Sequence, residues 1–488
     1  MAARPCGFES HLPHHPFSLD APARGRTRRK NMGPTKNVLL INPWIYDFTA
    51  YDFWLKPLGL LYVAALLEAR PDVRLSFIDC LDRFHPGLAR PARGKPDGRG
   101  PFPKQEVPKP ALLDGVPRRY SRYGIPVRLF EEELARVPRP DAVLLTCTMT
   151  YWYPGVQAVV DIIRRRFGSV PVVLGGIYAA LCPEHARAHS GADVVAAGPA
   201  ETSLPAALGR VLGDGFGPAP GPAGFESLPR PAFSRLRDRT WLPVLSSRGC
   251  PFRCTFCASS LLADRFERRP PASVAAEIAA HHDLFGTRHF AFYDDALLLD
   301  KERHAVPLLE MIAAAGRPVR LHAPNGLHLR EIDGPLARLF RAAGLTSLYL
   351  SLESSDESLL RERTPKTVPG DLPRAMAALA AAGYDRRDIG VYLIMGLPGQ
   401  SVAGVEESIR YVRSQGATPR VAFFSPIPGT AEWEALARRG VVTGATDPLL
   451  HNKIAFAYLK GDFTPAEFEG VGKILAADPA ASAPGGDA

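Results

Sequence analysis

Long hydrophobic runs are missing from this 488-residue chain: the longest, Leu58 to Leu67, falls far short of the roughly 20 apolar residues that cross a bilayer, which excludes a helical span. Cysteine is scarce, seven residues in all, and three of them share one short stretch. Too few dispersed thiols remain for a disulfide framework, and the expected setting is a reducing cytoplasm. Residues 1–31 mix Pro, His and Arg without an apolar h-region, so no secretory signal is expected there. That segment reads as a tail or as the product of an upstream start codon, with Met32 just ahead of the first patterned strand. No internal repeat at a solenoid period is present either.

Acidic residues do not balance the basic ones, and the formal charge is +9. The excess lies in two Pro/Gly-rich stretches, residues 1–36 and 84–120, each net +5. Charge confined to irregular segments reads as solvated surface rather than as a binding face, so nucleic-acid binding is not expected. Deleting residues 1–31 is expected to leave Tm and metal content unchanged, because the segment has no periodic apolar face to bury. A large drop in Tm of the truncated chain would show that it docks on the fold.

What is present is a 46% hydrophobic chain, enough for an ordinary core, patterned as short β-branched runs alternating with Ala/Leu-rich helical stretches. That alternation is the mark of α/β architecture with parallel sheets. Residues 37–213 read as a doubly wound domain with strands at 37–42, 73–79, 141–147, 170–175 and 192–197. An irregular insertion at 84–120 interrupts it, too polar to pack and therefore placed on the surface. A linker at 214–240 leads to residues 241–425. There six strands (242–247, 288–293, 318–322, 346–352, 388–395 and 418–424) and five intervening helices describe a partial (β/α)6 barrel, whose chemistry belongs at the C-terminal strand ends. Residues 426–475 read as a closing segment; 1–36 and 476–488 read as disordered tails.

The strongest chemical signal is Cys250-Pro-Phe-Arg-Cys254-Thr-Phe-Cys257, a C-x3-C-x2-C loop directly after the first barrel strand. Three soft thiolates on one loop suit either zinc or an iron–sulfur cluster. Structural zinc wants a fourth ligand, for which His281 or His282 is the candidate, although both otherwise read as surface histidines. A cluster with three protein ligands leaves one iron open, which is a catalytic arrangement.

This loop and its place resemble the radical S-adenosylmethionine (SAM) superfamily over residues 241–425. The resemblance implies that Cys250, Cys254 and Cys257 hold a 4Fe-4S cluster, with the open iron binding the amino and carboxylate groups of SAM. A reducing electron donor then drives cleavage to methionine and a 5′-deoxyadenosyl radical. It further implies that Phe256 touches the adenine region and that Asp294 and Asp295 receive the methionine ammonium. Ser351 and Glu353 would contact the ribose and methionine, and Met395 and Gly396, in the segment Gly390 to Gly399, would meet the adenine. The plainer readings are helix-capping carboxylates, a polar strand end and a tight turn. Asn325-Gly326 lies either near the substrate or in a simple turn.

Residues 37–213 resemble the cobalamin (B12)-binding domains that precede the barrel in a large subgroup. The carriers are Asn42-Pro43, Pro57 to Leu61, Ile78-Asp79, Leu174-Gly175-Gly176-Ile177 and Gly198-Pro-Ala-Glu201. Gly175 and Gly176 would admit the cobalamin tail. Members that coordinate cobalt carry Asp-x-His-x-x-Gly after the first strand; here the loop from Trp44 to Asp52 has no histidine, so a lower axial imidazole is not expected. Tyr51, Trp54, Tyr151, Trp152 and Tyr153 read as interdomain core ahead of corrin stacking, and Cys80, Cys147 and Cys182 as small buried hydrophobes. The implied function is cobalamin-dependent methyl transfer to, or rearrangement of, an unactivated carbon. The rivals are a cobalamin-independent radical SAM enzyme and a non-catalytic metal-binding interaction protein.

Overall fold

The computed structural model describes residues 35–90, 94–213, 216 and 224–477; most of the expected tails 1–36 and 476–488 and part of the expected linker lie outside the described residues, while Lys36 opens the first strand and Ala476 ends the last helix. Five parallel strands form the first sheet: β1 (Lys36–Asn42), β2 (Val73–Asp79), β3 (Ala142–Cys147), β4 (Val172–Gly176) and β5 (Val194–Val195). Their order is β2-β1-β3-β4-β5, so the winding reverses between β1 and β3. In open α/β sheets that reversal opens a ligand crevice at the carboxyl ends of the strands. Val38 to Ile41 are almost wholly buried because helices cover both faces, which is why β1 reads as a continuous apolar run.

The second sheet runs in sequence order through β6 (Trp241–Val244), β7 (His289–Phe292), β8 (Arg320–His328), β9 (Leu345–Glu353), β10 (Gly390–Met395) and β11 (Thr418–Phe423), all parallel. Leu348, Leu350 and Leu352 of β9 join the helix-side core, whereas Tyr349 faces the lumen against Tyr392, ring centroids 5.4 Å apart. Helix α1 (Leu58–Glu68) of the first unit contributes Leu58, Leu61 and Tyr62 to the barrel's own core, so the two units share packing. The closing segment joins them at the other side: Leu449, Leu450 and Ile454 enter the first unit's core, and Phe463, Phe468 and Val471 enter the barrel's.

The expectation of a surface insertion at 84–120 is corrected. Phe102, Leu113, Val116 and Tyr120 are buried, and the segment supplies short strands at Gly100–Pro101 and Lys104–Glu106. Average polarity concealed this because the charges are paired inside: Arg99 grips Asp97 at 2.6 Å and donates to the Tyr349 hydroxyl at 3.2 Å. Gly98 has φ +89, and a Cβ there would stand 2.2 Å from the Trp241 ring. With Phe53 and Trp54, this segment plugs the N-terminal mouth of the barrel. Trp54 is 2% exposed and stacks on His322 at 4.3 Å, so the aromatic density is interdomain core at this position, as its composition suggested. Trp54→Ala is expected to destabilise the fold by about 3–5 kcal/mol. Scanning calorimetry would read this as a lowered Tm, and an unchanged Tm would show that the plug carries no stability.

Candidate active site between the two sheets

The approach to the cysteine loop is anchored by one carboxylate. Asp294, just beyond β7, accepts from the Ser246 hydroxyl at 2.6 Å, the Ser247 amide at 2.5 Å, the Ser247 hydroxyl at 2.6 Å and the Ser246 amide at 3.1 Å. Both of its oxygens are engaged and it is 4% exposed. The expectation that Asp294 meets a ligand ammonium is therefore corrected: it is a positioning residue that fixes the end of β6. Asp295 instead is exposed, and partial desolvation by its neighbours pushes its carboxyl up to about 6.

Arg248 follows, bridging Glu201 of the first unit at 2.5 Å and Glu267 at 2.6 Å. Gly249 then turns the chain at φ +81, where a Cβ would sit 2.7 Å from the Arg265 carbonyl oxygen. Cys254 is buried and Cys250 and Cys257 are half-buried; Cys254 Sγ lies 3.3 Å from Thr364 Oγ1 and Cys257 Sγ 3.3 Å from Ser259 Oγ. Burial pushes the Cys250 thiol up to about 11, with Asp295, Cys257 and Cys254 adding to the effect, and it raises Cys254 against the opposing charge of Lys366. Ligating sulfur is thiolate, so a cationic centre is what this set of donors would gain from. Among the described residues no three His, Cys, Asp or Glu stand together as a single-ion site. Three soft thiolate donors on one short loop fit an iron–sulfur cluster by the chemistry of the donor set.

The remaining sequence candidates divide. Phe256 packs against the cluster of Ile394, Leu397, Phe424 and Trp433, at the ends of β10 and β11. Ser351 is buried and faces Gly326, whose φ of +83 leaves room for the Ser351 hydroxyl where a Cβ would stand at 2.3 Å. Glu353 is held at φ +73 and pairs with Lys366 at 3.2 Å. Gly396, at φ +91, donates its amide to Gln400 Oε1. Met395 is corrected: its side chain is fully buried in the helix-side core, so only its backbone reaches the site. Asn325 and Gly326 lie inside β8, where the register shifts, and the Asn325 amide donates to the Tyr293 carbonyl at 2.9 Å. His281 is not a surface histidine: it is 6% exposed between Phe233 and Phe285, both ring nitrogens lack partners, and burial pushes it down to about 4. Lys366, Thr364 and Arg248 carried no sequence signal, since nothing local marks which loop returns to the cysteines.

At the first sheet's carboxyl edge, Gly176 has φ +90 and a Cβ there would meet Thr146 Oγ1 and the Cys147 carbonyl oxygen at 2.7 Å. Gly175 is open, with only the Ala196 carbonyl oxygen at 3.9 Å. The loop after β1 is organised by buried Asp47, which accepts from Trp152 Nε1 at 2.8 Å and Asn452 Nδ2 at 2.9 Å. His451 from the closing segment also reaches this edge; its Nδ1 lies 3.1 Å from Thr150 Oγ1, its Nε2 has no partner, and burial pushes it down to about 3. Cys80, Cys147 and Cys182 are buried, as expected. Helix α2 (Ile177–Leu181), which begins after Gly176, touches α3 (Ser259–Leu262), which begins after Cys257. The helix that follows the glycine edge of one sheet thus meets the helix that follows the cysteine loop of the other.

Comparison with known proteins agrees with this layout. Residues 244–412 match the radical SAM superfamily and residues 125–208 match the B12 binding domain. An uncharacterized methyltransferase of Pyrococcus horikoshii is 25% identical over 62% of this chain and 71% of its own length. Cytidylyl-2-hydroxyethylphosphonate methyltransferase of Streptomyces wedmorensis is 27% identical over 41% of this chain, a match spanning only 38% of that enzyme. The radical SAM methyltransferase TsrM of Kitasatospora setae, solved with cobalamin and a 4Fe-4S cluster, superposes with a TM-score of 0.62 at 16% identity, covering 91% of this chain and 92% of that one. At that identity the likeness concerns the fold. No helix among the described residues is long and apolar enough to cross a membrane. The chain thus carries a radical SAM domain with a B12-binding domain ahead of it.

Proposed function

We propose that this enzyme transfers a methyl group from SAM to an unactivated carbon with the help of cobalamin, in the cytoplasm and at the expense of an external electron donor. The carrying observation is the contact between α2 and α3, which sets the glycine edge of the first sheet against the cysteine loop of the second. Methyltransferases among the relatives support the reading. Cys250, Cys254 and Cys257 would hold the 4Fe-4S cluster, Asp295 and Ser351 would line the SAM site, Phe256 and the Gly396 backbone would border its adenine, and residues 37–213 would hold cobalamin. When bound, these groups supply electrons and a transferable methyl. The chain's part is to hold them in register, through the Asp294 clamp and the Arg248 bridge to Glu201, and to shut the lumen floor against water with Trp54 and Arg99.

One observation favours a second reading, radical SAM chemistry without cobalamin: the loop from Pro43 to Lys56 offers no histidine to a cobalt. The two are separated by anaerobic reconstitution with iron, sulfide, SAM and a reductant, with and without hydroxocobalamin. Release of S-adenosylhomocysteine that depends on the corrinoid supports methyl transfer. Release of 5′-deoxyadenosine alone, unaffected by corrinoid, supports the second reading.

A further inference from the structure

The segment just after α4 (Glu357–Arg363) wraps the cysteine loop. The Arg363 carbonyl accepts from the Thr255 amide at 2.9 Å, between two of the cysteines, and Thr364 Oγ1 lies 3.3 Å from Cys254 Sγ. Two residues on, Lys366 turns inward with its side chain only 14% exposed, and its ammonium reaches Glu353 at 3.2 Å. Glu353 is bent to that position by a left-handed backbone at φ +73, one of three non-glycine residues so held among the described residues, at the point where β9 and β10 slip register. Strain in a non-glycine residue persists where the surroundings over-determine it, commonly at functional sites. A lysine is rarely taken out of water, and one carboxylate would satisfy it on any surface. Here Lys366 follows by two residues the threonine whose hydroxyl lies 3.3 Å from Cys254 Sγ, and the charge of Cys254 and Cys257 in the thiolate form also acts on its ammonium.

Three thiolates and a reduced cluster carry net negative charge, and a buried cation beside them favours the state with one more electron. We propose that Lys366 raises the reduction potential of the cluster held by Cys250, Cys254 and Cys257, with Glu353 as the counter-charge that limits the rise. Thr364 acts in the same sense: a thiolate has no proton to give, so with metal bound the Thr364 hydroxyl donates to Cys254 Sγ. The device is a compromise. A higher potential lets a mild one-electron donor load the cluster, while the carboxylate keeps it reducing enough to act on a sulfonium.

The inference rests on the cluster assignment proposed above, and EPR-monitored titration with dithionite and redox dyes tests the two separately. Wild-type protein that takes up no iron, or shows no reduced-cluster signal, defeats the assignment itself. Given a signal, Lys366→Gln is expected to make reduction at least tenfold less favourable at a fixed potential, a downward shift of about 59 mV for a one-electron couple. Glu353→Gln is expected to shift it upward, and Lys366→Arg to stay near wild type. Opposite signs for the two neutral variants establish the charge effect, because a merely structural role would move both alike. If only one variant loads iron, its sign decides: an unchanged or reversed shift overturns the proposal. Failure of both to hold iron also overturns it, since the pair would then build the site rather than tune it.

Discussion

Replacing Cys254 by alanine is expected to abolish the reduced-cluster EPR signal and SAM cleavage while leaving a folded, soluble chain. Asp294 holds Ser246 and Ser247, Arg248 is fixed to Glu201 and Glu267, and Gly249 makes the turn; none of these contacts passes through sulfur. Removing one thiol therefore leaves the backbone of the loop in place. The three thiolates act as a unit on the cluster, and two of them hold it poorly. Iron content, EPR and circular dichroism on anaerobically purified wild type and Cys254→Ala check this together. Stoichiometric zinc with no iron in reconstituted wild type would refute it, and loss of the folded circular dichroism spectrum would show that the thiol also builds the core.

Cobalamin taken up by the protein is expected to have no protein imidazole beneath its cobalt. The loop from Pro43 to Lys56 contains no histidine, and its buried centre is Asp47, already engaged by Trp152 and Asn452. Binding then depends on the tail near Gly175 and on apolar contact with the ring. The structure changes which glycine tests this. A bulky residue at Gly176 would collide with the backbone of β3 and strain the fold whether or not cobalamin binds, whereas Gly175 opens on free space. Gly175→Leu is accordingly expected to abolish corrinoid uptake with Tm preserved. The cobalt EPR spectrum should show no nitrogen hyperfine splitting from a protein histidine and should be unchanged in His451→Asn, the variant that matters most because His451 Nε2 is unpartnered at this edge. Splitting that vanishes in His451→Asn would place the ligand on the closing segment. Absence of bound corrinoid after reconstitution with excess hydroxocobalamin would favour the second reading.

Much of this protein could be read from residue order, because the signals are local. Short apolar runs placed all five strands of the first sheet and five of the six of the second to within a few residues, whereas β8 runs six residues past its expected end, and the spacing of Cys250, Cys254 and Cys257 after a strand marked the cysteine loop. The readings that failed depend on which face a side chain takes. In a parallel strand covered on both sides, apolar residues do not alternate, so nothing in Leu-Ile-Met told that Ile394 points inward and Met395 outward; a one-residue change of parity reverses every such assignment. The same ignorance of direction made Asp294 look like a ligand-facing carboxylate when it clamps Ser246 and Ser247 from 47 residues away, and made His281 look exposed. Composition averaged over residues 84–120 hid this packing, because Phe102 meets Ile45, Leu81 and Tyr123, Leu113, Val116 and Tyr120 enter the first unit's core, and Gly98 and Arg99 meet Trp241, Trp54 and Tyr349, all partners outside the segment. Residue order by itself determined the two-unit α/β architecture and the place of the cysteine loop after the first barrel strand. Tertiary structure alone decided the pairing of Lys366 with Glu353, the meeting of α2 with α3 and the closed barrel floor, because contacts between segments distant in the chain are selected by burial and charge neutralisation, which leave no periodic trace in either partner.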